Sequence, residues 1–258
     1  MSHTCIWCSG IARGRHIEHI IPEALGCPTN FVLTETTVCL KCNNGLAHLD
    51  RAVSDEFDFL TFLAGVPRKK GRSPVISSRG NVHGSHKTNN PTITFNMERH
   101  AVLTHDGSHV AAYGGSDRNV NALFTKIDDK KAQVSFSITF GNNQKFVRGL
   151  TKIAFSTAAY FLGAERVRGD TFDPVRQFVL NGIGNRHVML TESAAPIFSN
   201  QAWSPFADSN GGLVVTFRLA QTEFLIDLTP DEGLLPIFEA KQMDINGTSG
   251  WCVLPPRG

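Results

Sequence analysis

Two cysteine pairs limit what this chain can fold into more than any other feature. Cys5 and Cys8 form one C-x2-C pair and Cys39 and Cys42 another, with about 30 residues between them, a separation typical of zinc ribbons and knuckles. Each pair makes a tight turn that aims two thiolates at one point, so the spacing predicts a single tetrahedral zinc site. Four unligated buried thiols, or two local disulfides, are the alternatives. Five of the six cysteines lie in the first 42 residues. Cys27 and Cys252 stay outside the scheme and read as small hydrophobes. Six cysteines in 258 residues are too few for a disulfide scaffold.

The chain is 41% hydrophobic, enough for at least one core, and its length fits one large domain or two ordinary ones. No apolar run approaches the roughly 18 residues of a spanning helix. No basic and then apolar leader opens the chain, so the expected location is cytoplasmic. The formal net charge of +2 conceals an uneven distribution: residues 1–65 hold four Lys/Arg against seven Asp/Glu, while residues 66–90 hold six against none. That basic block includes Arg68, Lys69, Lys70 and Arg72 and is rich in Gly, Ser, Asn and Pro, so it reads as a linker. On its own it would be a solvated loop. Beside a phosphate-cleaving module it is the electrostatic footprint of a nucleic-acid partner.

Between the cysteine pairs, residues 16–22 read His-Ile-Glu-His-Ile-Ile-Pro, and Asn43 and Asn44 directly follow the last cysteine of the second pair. This set suits phosphodiester hydrolysis. Glu18 offers a carboxylate to a hard divalent cation and Asn43 an amide oxygen, ligands that suit Mg²⁺ or Mn²⁺. The His19 imidazole, with an ordinary pKa near 6.5, can deprotonate water at neutral pH.

Cys5-Ile-Trp-Cys8, Glu18-His19-Ile-Ile-Pro22 and Val38-Cys39-Leu-Lys-Cys42-Asn43-Asn44, in this order and spacing, resemble the zinc-containing HNH endonucleases. The resemblance covers about the first 60 residues and implies a ββα-metal unit. It makes Glu18 and Asn43 ligands of a catalytic Mg²⁺ or Mn²⁺, His19 the general base, and Cys5, Cys8, Cys39 and Cys42 a structural Zn²⁺ site. It also implies DNA as partner, with RNA as a third reading and a homodimer as one way to cut both strands. Arg13 and Arg15, in a Gly-containing turn before the strand, are candidate phosphate contacts or plain solvated charges. Many family members carry an Asn about five residues before the third zinc cysteine, bracing the loop of the general base. Thr34 stands there in this chain, and a Thr hydroxyl, a backbone carbonyl or Asn30 would have to serve instead.

A helix is expected from near Cys42, because Leu46, Leu49, Val53, Phe57 and Leu60 form one apolar stripe. Asn43 lies in its first turn; Asp50 reads as a surface residue that could orient the site, and His48 as solvated. His16 is a candidate for phosphate or metal contact. From residue 91 the pattern changes to short alternating runs, at 92–95, 101–104, 110–113, 134–140, 213–219 and 223–228, read as strands. A largely buried helix is expected over 146–163 and a short one near 173–181. Arg148, Lys152, Arg166 and Arg168 read as a solvated helix end. The fold class is therefore α+β: a small nuclease domain at 1–65 with structural zinc, a basic linker at 66–90, and a larger α+β domain with antiparallel sheet at 91–258. That last domain, with no second catalytic constellation, is expected to serve recognition, regulation or assembly. The leading expectation is a metal-dependent DNA endonuclease, in restriction or phage defence. The alternative is a non-catalytic zinc-dependent nucleic-acid-binding protein, although binding alone does not call for an acid at Glu18.

Overall fold

The computed structural model describes residues 3–67, 72, 75–76, 82–87, 90–95, 101–103, 109–113, 120–126, 132–138, 140, 143–193, 200–207, 212–238, 240 and 251–255. It has mixed α and β structure with antiparallel sheets, the class expected from the sequence. Two compact units divide the chain: residues 1–53 with 142–258, and residues 54–141. This division cuts across the one read from the sequence, because the cysteine-rich segment is packed into one body with the C-terminal half.

The first unit opens with β1 (Ile17–His19), paired antiparallel to β2 (Val32–Thr34) so that Glu18 faces Leu33 and His19 faces Val32. Three short helices follow, α1 (Leu40–Gly45), α2 (Ala47–Glu56) and α3 (Asp58–Leu63), the last lying in the second unit. The single helix expected here is divided, and the first break falls after Asn44 and Gly45, both poor helix formers. The apolar stripe is otherwise as expected: Leu46, Leu49, Val53 and Phe57 are buried, and Leu60 is half-buried.

In the second unit β3 (Val75–Ile76), β4 (Val82–Lys87) and β5 (Asn90–Phe95) form a three-stranded sheet. β6 (Ala101–Leu103), β7 (His109–Tyr113), β8 (Val120–Lys126) and β9 (Ala132–Ile138) form a four-stranded meander. The expected linker at 66–90 therefore contributes strands. The run Val82-His-Gly-Ser-His-Lys87 has no alternation of apolar and polar residues, and its Gly and Ser read as loop, so this strand has little local signal.

The chain returns to the first unit with α4 (Gln144–Leu162), capped at its start by the Asn143 side chain, which accepts from the Lys145 N–H at 3.0 Å. After α5 (Ala164–Val167) and α6 (Asp173–Asn181) come β10 (Val188–Glu192), β11 (Gln201–Ala202), β12 (Phe206–Ala207), β13 (Leu213–Leu219), β14 (Thr222–Asp227) and β15 (Trp251–Leu254). These six form one antiparallel sheet in the order β11-β13-β14-β10-β15, with β12 also on β13. Phe146, Leu150, Ile153 and Phe155 of α4 are fully buried, as are Val215, Phe217 and Ile226 of the sheet. Phe161, expected on the buried face, is 42% exposed. Among the described residues no helix is long and apolar enough to cross a membrane.

α4 is also what the cysteine-rich segment packs on. Trp7, between the first two cysteines, is 1% exposed and its ring lies 4.8 Å from that of Phe155. A Cβ at Gly149 would fall 2.4 Å from Val53 Cγ2 and 2.9 Å from the Leu49 carbonyl, so only glycine lets α4 come this close to α2.

Candidate active site and metal centre

The sulfur atoms of Cys5, Cys8, Cys39 and Cys42 lie within 4.8 Å of one another, the expected four-cysteine cluster. Four sulfurs at ~2.3 Å from a tetrahedral zinc stand about 3.8 Å apart, and Cys8 Sγ is 3.7 Å from Cys39 Sγ. Backbone groups point at these sulfurs. The N–H of Trp7 donates to Cys5 Sγ at 3.4 Å and that of Cys39 does so at 3.3 Å. The Cys42 N–H donates to Cys39 Sγ at 3.5 Å, so a cluster sulfur also caps α1. The Cys42 side chain, followed by these backbone donors, lowers the Cys5 thiol to about 4 against the effect of burial. Cys42 is raised in turn by the hydrogen bond to Cys5 and by burial. Donors aimed at sulfur and sulfurs converging at tetrahedral spacing make this a site able to hold a metal ion.

The second cysteine pair starts α1 and thereby fixes Asn43. Its Nδ2 donates to the carbonyl of Ile17 at 3.3 Å, tying helix to strand beside Glu18 and His19. His19 is half-exposed and makes no hydrogen bond among the described residues. His16 Nε2–H donates to the Val38 carbonyl at 2.9 Å and its buried Nδ1 has no hydrogen-bond partner, so this histidine braces the turn into the second cysteine pair. His48 is exposed, as expected, with its ring nitrogen on the Gly45 carbonyl at 2.8 Å. Arg13 and Arg15 are exposed and flank Gly14, whose φ of +143° favours glycine. Arg72 is exposed; Arg68, Lys69 and Lys70 lie outside the described residues.

Glu18 is 2% exposed and forms an ion pair with Lys152 of α4. The same ammonium, itself 0% exposed, donates to both carboxylate oxygens of Asp50 at 2.7 Å each. Burial raises the Glu18 carboxyl above its ordinary range against the opposing pull of Lys152, and Asp50 adds to the rise. Burial alone would discharge Lys152, but Asp50 and Glu18 outweigh it and raise its pKa above that of an ordinary lysine. Lys152 is thus buried against two carboxylates, where the sequence pattern read it as part of a solvated helix end. Asp50, read as a surface residue, is half of its cradle.

The loop after β1 is braced from the C-terminal part of the chain. Asn200 Nδ2 donates to the Leu25 carbonyl and, at 3.3 Å, to that of Gly26, while its Oδ1 accepts from the Ala220 N–H at 3.0 Å. Thr34 does not take this role: its hydroxyl is on Thr36 at 2.7 Å. Asn30 is an exposed turn residue with φ +70°. Arg168 reaches the Thr36 carbonyl at 3.4 Å, on the approach to the second cysteine pair.

Residues 5–58 match the family model described as HNH endonuclease. The chain has no match among curated proteins and none among solved structures.

Proposed function

We propose that this chain is a metal-dependent DNA endonuclease with His19 as general base, Glu18 and Asn43 as ligands of a catalytic Mg²⁺ or Mn²⁺, and a structural Zn²⁺ on the four cysteines. The match of residues 5–58 to the HNH endonuclease model carries the reading, and the Asn43–Ile17 hydrogen bond that joins helix to strand supports it. A carboxylate and an amide oxygen are the hard donors these cations take. Asn43, bonded through its nitrogen, keeps Oδ1 without a donor among the described residues. A bound divalent cation would offset charge at the scissile phosphate and on the leaving 3′ oxygen. His19, half-exposed at the end of β1, takes the proton of the attacking water. Arg13 and Arg15 hold the phosphate backbone, and the basic stretch with Arg68, Lys69, Lys70 and Arg72 adds sequence-independent attraction. A small nuclease of this kind suits restriction or phage defence.

Plasmid nicking with Mg²⁺ or Mn²⁺ tests this. The His19→Ala variant should lose ~10²-fold or more in rate, the share that a positioned base contributes, with DNA affinity and zinc content unchanged. A second reading, a zinc-dependent nucleic-acid-binding protein without turnover, is favoured by one observation: the Glu18 carboxylate is engaged by an ammonium and shut from solvent. Wild-type protein that binds DNA but cuts neither modified nor unmodified plasmid would select it.

A further inference from the structure

We propose that Lys152 is the resident cation of the Glu18 carboxylate and competes with the divalent metal for it, with Asp50 as the acceptor that retains the ammonium when the metal binds. The proposal rests on Glu18 being a metal ligand, as read above.

Three observations carry it. Lys152 Nζ is in ion-pair contact with Glu18 Oε1 and has no exposed surface, so the ammonium already occupies that carboxylate oxygen. A +1 and a +2 charge on one carboxylate, about 4 Å apart in a poorly solvated site, repel strongly. The metal therefore enters only as the ammonium withdraws. Withdrawal needs no trip to solvent, because both Asp50 oxygens already hold Nζ at 2.7 Å, and Asp50, 27% exposed, can keep the charge. The position of Lys152 is also built. Gly149, one turn earlier on α4, permits the contact with Leu49 and Val53 of α2, the helix that carries Asp50. Metal loading of the strand–helix site is thereby coupled to the seating of α4, an element about 100 residues further along the chain.

Mn²⁺ titration of the full, zinc-loaded chain, followed by the electron paramagnetic resonance signal of free Mn²⁺, tests this without measuring cleavage. Lys152→Met should tighten Mn²⁺ binding at least about tenfold, and Asp50→Asn should weaken it, because the ammonium then falls entirely to Glu18. Arg51→Met, the same charge loss at an exposed position of α2, should leave the affinity within about twofold, since exposed charges are screened. Mn²⁺ affinity that Lys152→Met leaves unchanged, or that Arg51→Met raises equally, overturns the competition. If Lys152→Met loses its zinc or helical signal, Asp50→Asn decides, and affinity equal to or above wild type rejects the proposal. Glu18→Gln separates the two levels: Mn²⁺ binding unaffected by it refutes the metal-ligand reading itself.

Discussion

Glu18 sits in a place water barely reaches, so its partner decides what it costs. With Lys152 present the carboxylate has an ammonium in contact, and that ammonium is itself held by Asp50. The two ends of the pair are therefore unequal under mutation. Glu18→Gln leaves Lys152 on Asp50 and removes a buried charge, so it should change stability by about 1 kcal/mol or less, within the usual range of single substitutions. Lys152→Met leaves Glu18 buried with no cation and should cost ~3–5 kcal/mol. Urea unfolding of the zinc-loaded variants measures both, and equal losses would show that the pair acts only as packing. This asymmetry could not be read locally. Lys152 and Asp50 stand 102 residues apart, and a lysine on a helix looks solvated until the surface opposite it is known. The cysteines and the Glu18-His19 pair were legible for the opposite reason: their chemistry depends on close spacing along the chain.

α4 shows what a single element does with its periodicity. The stripe from Val147 to Ala158 reads from the sequence as a buried face, and those residues are buried. What the pattern did not show is that both faces are occupied, with the β10–β15 sheet and the segment carrying Trp7 belonging to the same compact unit. Gly149 is the clearest case, since a glycine inside a helix usually weakens that helix and here it leaves room for Leu49 and Val53 of α2. Gly149→Ala should raise helix propensity yet destabilise the protein by ~1–3 kcal/mol through overpacking. Thermal unfolding decides the sign, and a higher Tm would mean that α2 and α4 are not in this contact. Strands β8, β10 and β15 escaped the sequence reading, although Gly114-Gly115 before β8, Asp128-Asp129 after it and Pro255-Pro256 after β15 are ordinary turn residues. The hydrogen bonds of Asn200 to the loop after β1 escaped it because Asn200 lies 174 positions from Gly26.

For the molecule as a whole, the family match ends at residue 58, but the fold that supports those residues does not. Charge follows a different division from packing. The basic residues Arg68, Lys69, Lys70 and Arg72 fall in the stretch between the two parts of the first unit. If they neutralise phosphates, removing all four charges should reduce the salt slope of DNA binding by up to about 3.6, at roughly 0.9 per contact. Fluorescence anisotropy at several salt concentrations reads that slope, and an unchanged slope returns the stretch to plain solvation. Packing makes the sharper prediction. A fragment of residues 1–65 keeps the four cysteines and the whole matched segment, but loses Phe155 from Trp7, Lys152 from Glu18, Gly149 from Leu49 and Val53, and Asn200 from the Leu25–Gly26 turn. Zinc can organise the cysteine turns of such a fragment. It cannot cover a buried tryptophan and a buried carboxylate whose partners are gone. The fragment with one equivalent of zinc should therefore show metal-bound thiolates by absorbance but poor amide dispersion in NMR, whereas the full chain gives a cooperative unfolding transition. A well-dispersed fragment spectrum would establish that the nuclease-like segment is an autonomous domain and that the contacts from α4 and Asn200 are additions to it.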